Sequence, residues 1–351
     1  MLVNQVLTFI NTTMQEEEIK QLMNSPLLHE DKGAPVLVDT HISWVILTEQ
    51  YAYKIKKPVK FAFLDFSTLA KRKYYCEREI LLNKRLAAAM YLRVLPLYKK
   101  DHQFLLQGDV SDIIDFAVQM KRMDTALEMD KMLKKKQVTA QAVETLAHKI
   151  AAFHAQANDI RTQPDIVQLK LRFNDLETVK KMAGQYLGRD FTNIITQAIK
   201  MSDLFLEEHK KLITNRALEG YIRDVHGDLH TGNIFLYEDP VVFDCIEFSD
   251  ELRQMDVLNE VGFLCMDLDA RGPQELSKLF YKCYLKYAGM KESKTTLLLL
   301  NYYKCYCANI RAKVALLSAS NVTAGPLFEE KKNTALIYLN LLGRYLSTDM
   351  N

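Results

Sequence analysis

The chain has 351 residues, 48% of them apolar and 26% charged, which is room for one large or two smaller domains and excludes a disordered chain. Its formal charge of +2 argues against a dedicated nucleic-acid binder. No apolar run approaches the ~20 residues of a membrane span, and residues 1–10 lack the basic start and small-residue cleavage site of a secretory signal.

Residues 1–30 read as two short helices with no chemistry of their own. Strands follow at Val36–Val38, Ser43–Thr48 and Tyr51–Lys57, where β-branched and aromatic residues lie between turn residues. Ser67 or Thr68 can cap a helix running to about Ala89. Further strands fit Val94–Tyr98, Phe104–Gly108 and Ile114–Met120. After Met123 the pattern turns helical, over Ala140–Ala157, Arg172–Leu187, Ile194–Ile213, Glu275–Tyr287, Thr295–Ser318 and Glu329–Leu346. One β segment interrupts this half: Ile234–Tyr237 and Val241–Phe243 flank the turn Glu238-Asp239-Pro240, a short hairpin. These patterns predict an α+β chain, with a β-rich N-terminal part (1–119), a connection at 120–123 and a mainly helical C-terminal part (124–351).

The six cysteines are scattered without a C-x-x-C pair, which points to free thiols in a reducing cytoplasm. Glycine is scarce, 12 residues in all, and there is no G-x-G-x-x-G. Gly227 and Gly232 have P-loop spacing, but Asn233-Ile234 follows where Lys-Ser/Thr is required.

The densest chemical signal is His226-Gly227-Asp228-Leu229-His230-Thr231-Gly232-Asn233, followed by the hairpin and Asp244. Phosphoryl transfer needs a carboxylate to orient a hydroxyl and take its proton, and hard oxygen ligands to hold magnesium over the phosphates. Asp228 and Asn233 have the spacing of the kinase loop H-R-D-x-x-x-x-N, with glycine for arginine. Asp244, eleven residues on, ends the returning strand and suits a second metal carboxylate. A metal-dependent hydrolase using His226, Asp228 and His230 is the rival chemistry, but it needs further ligands, and a packed core position suits His154 better than ligation. Ala52-Tyr53-Lys54 has the A-x-K pattern of a kinase third strand; alternation puts Ala52, Lys54 and Lys56 on one face, with Lys54 the first choice for a phosphate contact and Lys56 the reserve. On the following helix Glu79 shares a face with Cys76, Leu82 and Leu86, whereas Glu77 has Lys73 and Lys84 as local partners. An acidic residue on an apolar stripe needs a cation from elsewhere, so Glu79 is the expected partner of Lys54. Backbone groups of Met120 to Met123 would meet the adenine edge.

The H-G-D-L-H-x-x-N loop resembles that of the aminoglycoside phosphotransferase family, and more broadly of choline and fructosamine kinases. The stretches Thr40–Val45, Tyr53–Val59, Leu64–Leu69 and Phe243–Phe248 resemble an uncharacterised bacterial branch of that family, some members of which are fused to a P-loop kinase-like domain. The resemblance covers nearly the whole chain. It implies a two-lobed protein-kinase-like fold, ATP or GTP, magnesium, and transfer of a phosphoryl group to a small-molecule hydroxyl. By the matched motif Asp228 is the base beside His226, Asn233 and Asp244 are metal ligands, and Lys54 contacts phosphate. No glycine-rich loop lies between the first strands, so Thr40 and Ser43 would have to cover the phosphates. The alternatives are a catalytically silent nucleotide-binding module, and a protein kinase, which the lack of an Ala-Pro-Glu motif disfavours.

Charge is unevenly spread. Residues 54–100 carry 13 Lys/Arg against 3 Asp/Glu, and residues 224–270 carry 12 acids against one arginine, Arg253. Asp224 and Asp256 read as structural, pairing with Arg223 or Arg253; Glu238, Asp239, Asp267 and Asp269 read as solvated. Glu247, Asp250 and Glu251 are left uncompensated, which predicts a neutral or cationic acceptor such as an amino sugar or amino alcohol.

Overall fold

The computed structural model describes residues 14–25, 28, 33–61, 64–105 and 107–348. The chain divides into two compact units: Met1–Thr125 with Val241–Asp250, and Ala126–Pro240 with Glu251–Asn351. The first unit contains α1 (Glu16–Met23), β1 (Val36–Asp39), β2 (Ser43–Leu47), β3 (Tyr51–Lys56), β4 (Lys60–Phe61), β5 (Leu64–Asp65), α2 (Leu69–Ala87), β6 (Tyr91–Lys100), β7 (Gln103–Leu105) and β8 (Ile113–Lys121). Of the two helices expected before residue 30, α1 is the second; the first falls outside the described residues.

Six strands make one antiparallel sheet in the order β1-β2-β3-β8-β6-β7. Its two faces bury different sets of residues because strand side chains alternate. On one face Trp44, Ile46, Ile55, Phe104 and Ala117 pack with Ile19 and Leu22 of α1. On the other Ala52, Phe116, Val118 and Met120 pack with Leu69 and Cys76 of α2. That second face also carries Lys54 and Lys56. α2 starts where the Thr68 hydroxyl accepts the Lys71 N–H at 3.3 Å, capping the first turn.

The second unit is mainly helical: α3 (Met129–Lys134), α4 (Ala140–Gln156), α5 (Ile166–Asn174), α6 (Lys180–Leu187), α7 (Arg189–Glu208) and α8 (Lys210–Leu218) come first. Then come β9 (Ile222–Asp224) and β10 (Ile234–Phe235); β11 (Val241–Val242) belongs to the first unit. The chain continues through α9 (Asp250–Arg253), β12 (Gln254–Asp256), α10 (Val257–Arg271), α11 (Gln274–Tyr287), α12 (Lys294–Ser320) and α13 (Pro326–Thr348). Two predicted helices are each split. A 3₁₀ stretch, Asp175–Val179, divides Arg172–Leu187 between α5 and α6, and His209 divides Ile194–Ile213 between α7 and α8. Gly188, at a φ of 108° that glycine tolerates best, separates α6 from α7. The three-residue pair β9–β12 leaves no alternation to read in the sequence.

The core of this unit joins Phe173, Leu176, Ile195, Ala198, Met266, Ala308, Ala312, Leu339 and Leu342. α10 is capped by Asp256, whose carboxylate accepts the Leu258 N–H at 2.8 Å and is gripped by Arg216. Asp224 pairs with Arg253 at 3.1 Å, so both aspartates are structural as the sequence suggested, Asp256 with Arg216 in place of the expected partners. At Gly262 α10 passes so close to α12 that a Cβ would lie 3.1 Å from the Tyr303 Cβ and 3.3 Å from the Lys304 backbone nitrogen. Gly262→Val is therefore expected to destabilise the protein by about 1–3 kcal/mol through overpacking, read as a lower Tm in a thermal melt. An unchanged Tm would show that the two helices separate freely.

Candidate active site

Strand alternation and one helix face bring five charged groups of the first unit into a line. Lys54 Nζ lies 2.9 Å from Glu79 Oε1 and 2.5 Å from Asp244 Oδ1. Lys56 Nζ lies 2.7 Å from Glu79 Oε2 and also pairs with Glu247. The order is Glu247–Lys56–Glu79–Lys54–Asp244, alternating in sign. The expected alternative, Glu77, sits on the exposed side of α2, 3.8 Å from Lys73.

The side chains of Lys56 and Glu79 are wholly buried and that of Glu247 nearly so, whereas the Asp244 side chain is 44% exposed. Burial opposes ionisation of Glu79, but the two ammoniums outweigh it and hold the carboxyl down at about 2. Burial likewise works against the charge on Lys54, and Asp244 and Glu79 overcome it, raising its pKa well above the ordinary range. For Glu247, burial prevails over the pull of Lys56 and raises its pKa.

Asp244 has φ 62°, a left-handed conformation rare for residues with a side chain. Its N–H donates to Tyr91 Oη at 3.2 Å, and the next N–H, of Cys245, donates to Asn83 Oδ1 at 2.9 Å. Asn83 in turn donates to the Glu79 carbonyl at 2.9 Å, tying this segment to α2.

The other predicted residues of this unit lie as follows. The Thr40 hydroxyl accepts the Ser43 N–H at 2.9 Å and donates to the Ser43 carbonyl at 2.8 Å, closing the β1–β2 turn. Ser43 is fully buried opposite Lys56, its Oγ without a hydrogen-bond partner among the described residues. Met120 is buried beside Ala52 and Tyr91, with Met123 packed against the same cluster. The Lys121 and Arg122 N–H groups donate to the Met90 and Gln50 carbonyls, each at 2.8 Å.

In the second unit the loop 226–233 is held from below. Gly227, at φ 88°, donates its N–H to Glu260 Oε1 at 2.6 Å. Glu260 Oε2 lies 2.7 Å from His154 Nε2, and His154 Nδ1 lies 2.9 Å from Tyr284 Oη. His154 is thus the packed core histidine the sequence suggested. Four residues on, the Thr231 N–H and hydroxyl donate to Asp267 Oδ2 at 2.9 and 2.6 Å, while Asp267 Oδ1 accepts from Arg271 and Tyr338. Asp267 is therefore wholly buried, not the solvated acid expected. Asp269 likewise has a partner, Lys304, at 2.6 Å.

Asn233 Nδ2 donates to the Asp228 carbonyl at 3.0 Å and to its Oδ2 at 3.2 Å. His230 Nδ1 accepts the Gly232 N–H at 3.1 Å, so a neutral ring carries its proton on Nε2, which lies 3.4 Å from Asp228 Oδ2. Burial works against an Asp228 charge, but His230, Arg311 and His226 more than compensate and bring it down to about 2. The Arg311 guanidinium lies 5.5 Å from the centroid of the Tyr338 ring. His226 is fully buried and its Nδ1 accepts the Asp228 N–H at 3.3 Å, the place of a positioning residue.

In the first unit Asp244 keeps Oδ2 beyond its contact with Lys54, a hard oxygen of the kind magnesium takes together with phosphate oxygens and water. In the second unit Asn233 Nδ2 is committed to Asp228. Among the described residues no group of three or more His, Cys, Asp or Glu side chains is arranged to hold a metal, and the loop's histidine Nδ1 atoms already accept backbone N–H groups. Among the described residues the hydrolase alternative thus finds no ligand set.

Sequence reasoning missed Asn83, Tyr91, Glu260, Asp267, Tyr338 and Arg311. Only the Glu260–Asp267 pair left a readable signal: two acids seven residues apart on one face of an otherwise apolar helix. The three acids taken as uncompensated all have cationic partners. Glu247 pairs with Lys56, Asp250 with Arg78, and Glu251 with Arg172 at 2.8 Å.

No family model matches the chain. It is 32% identical over 281 residues to uncharacterised proteins of Mycobacterium tuberculosis and Mycobacterium bovis, an alignment covering 79% of this chain and 53% of theirs, so the chain spans about half the length of these curated relatives. In structure it is similar to a choline/ethanolamine kinase family protein from Mesorhizobium loti (TM-score 0.51, 13% identity, 93% of this chain and 98% of that one). It is also similar to an aminoglycoside phosphotransferase solved with GDP and kanamycin (TM-score 0.53, 12% identity, 92% and 98%). A choline kinase from Cryptosporidium parvum Iowa II matches at TM-score 0.53 and 12% identity, over 95% and 98%. The chain has the fold of the aminoglycoside phosphotransferases and choline kinases, an antiparallel sheet followed by a mainly helical part. No described helix is long and apolar enough to cross a membrane.

The ladder makes a pH prediction. The Glu79 carboxyl is depressed from 4.5 to about 2 in the folded protein, so its contribution to stability is present above its unfolded value and is lost as pH falls through the folded one. The Tm difference between wild type and Glu79→Gln should be largest above about pH 5 and close toward pH 2. A gap that does not change with pH would contradict this electrostatic assignment.

Proposed function

We propose that the protein is a small-molecule kinase of the aminoglycoside phosphotransferase family, moving the γ-phosphoryl group of ATP or GTP to a hydroxyl. The observation that carries this reading is the Lys54 ammonium held between buried Glu79 and exposed Asp244, a cation fixed next to a carboxylate that faces solvent. In this reading Lys54 contacts a phosphate oxygen. Asp244 would hold magnesium, with Asn233 a ligand by the matched motif, and the ion would neutralise charge on the phosphate oxygens when bound with nucleotide. The connection at 120–123 would meet the base through backbone groups other than the Lys121 and Arg122 N–H groups, which are already bonded. Thr40 and Ser43 shape the turn that covers the phosphates, the Thr40 hydroxyl closing the turn and the Ser43 side chain buried behind it.

Asp228 accepts the hydrogen bond of the acceptor hydroxyl. As the acceptor oxygen bonds to the γ-phosphorus, the bond to the β–γ bridging oxygen breaks, the nucleoside diphosphate leaves and the hydroxyl proton passes to the Asp228 carboxylate. A carboxyl held at about 2 is a weak base, so its main effect is orientation, with proton transfer late. Asn233 and His230 fix the carboxylate, and His226 fixes the backbone beneath it. With Glu247, Asp250 and Glu251 all paired, the charge argument for an amino sugar or amino alcohol has lost its support, and the acceptor is defined by its hydroxyl alone.

Asp228→Asn preserves shape but removes the charge and the proton acceptor. Steady-state turnover against a panel of hydroxyl compounds should fall by ~10²-fold or more with nucleotide affinity retained. Near-normal turnover in the purified variant would remove Asp228 from the mechanism.

A further inference from the structure

We propose that Lys56 and Glu247 are positioning residues for the Asp244 carboxylate, a second lysine–glutamate pair that sets the protein's magnesium-dependent affinity for nucleotide. This rests on the kinase reading above, in which Asp244 is a metal ligand. Lys54 and Lys56 lie two positions apart on β3 and point to the same face, and Glu79 divides its two oxygens between them, at 2.9 and 2.7 Å. Lys56 is wholly buried, so it cannot reach a phosphate from solvent; besides the Phe66 ring, whose centroid is 4.8 Å from its Nζ, its remaining charged partner is Glu247. An ammonium withdrawn from water is tolerated only with such compensation.

Glu247 lies three residues after Asp244, on the same stretch of backbone. Asp244 occupies the left-handed region, which among residues with a side chain Asn and Asp adopt most readily. Contacts on both sides hold it there. Tyr91 and Asn83 restrain it at the N–H groups of Asp244 and Cys245, and Lys56 restrains it through Glu247. The two pairs are also coupled through Glu79. Without Glu247, Lys56 would draw on Glu79 alone and loosen its hold on Lys54. Glu247 was counted in the sequence as an acid free to attract a substrate; its burial on Lys56 gives it this different task.

The test is calorimetric titration of the full chain with ADP, and in parallel GDP, with and without magnesium. Wild type, Glu247→Gln, Lys56→Met and the double variant are compared. Each single variant should weaken binding with magnesium by about tenfold or more and change magnesium-free binding less than about twofold. The double variant should recover part of the loss, because neither buried charge is then left alone. Glu247→Asp, which keeps the charge on a shorter side chain, is the measurement to rely on if a single variant does not fold, and it should show the same magnesium-selective loss. Equal weakening with and without magnesium, or unchanged affinity in a folded variant, would overturn the proposal while leaving the kinase reading intact. Wild type that binds neither nucleotide under any condition would overturn both.

Discussion

Glu79 has to serve two lysines at once. Its position follows from a helix face and a strand period: α2 turns Cys76, Glu79 and Asn83 inward, and β3 sends Ala52, Lys54 and Lys56 to the same side. Buried charge is stable only when paired, so the arrangement continues outward until it reaches water, through Lys56 to Glu247 and through Lys54 to Asp244. Three carboxylates then face two ammoniums. The surplus negative charge lies with Asp244, the most exposed of the five. A bare phosphate would meet repulsion there, whereas a phosphate accompanied by a divalent cation would find both a carboxylate and an ammonium in place.

The second unit solves a related problem with neutral donors. A loop that must present Asp228 and Asn233 cannot bond within itself alone, and α10 supplies two acids as anchors. Glu260 accepts the Gly227 N–H and Asp267 accepts from Thr231, so both ends of the loop hang from a single helix. That helix lies close against α12 at Gly262, between the two anchors. Packing at Gly262 thus sets how closely α10, which carries both anchors, lies against α12. Against burial, His230 does most to keep Asp228 ionised, and Arg311, from the same α12, adds a smaller positive contribution.

Much of this was legible in the sequence, and the limits have physical causes. The strand order of the first unit was not readable, but the strands of its six-stranded sheet and α2 were, because alternation and a capping threonine leave local marks; the two-residue pair β4–β5 left none. Glu79 was separable from Glu77 because a helix face is a local property. Lys56 was not separable from Lys54, since both share one face and only depth distinguishes them. The partners of Asp250 and Glu251 lie 172 and 79 residues away, and no local rule identifies them. Asp244's left-handed backbone leaves no mark either, because what sustains it is Tyr91 and Asn83, over 150 residues earlier. The reading of Asp267 as solvated failed partly for the same reason: Thr231 and Tyr338 reach it only in three dimensions, although Arg271, four residues on along α10, was a local partner.

The most direct test of the account is a crystal structure with magnesium and a non-hydrolysable ATP or GTP analogue. The account predicts a metal ion on the Asp244 carboxylate and Lys54 Nζ moved onto a phosphate oxygen, with Glu79 still bridging Lys54 and Lys56. A nucleotide bound away from Lys54, or a metal that leaves Asp244 untouched, would contradict it.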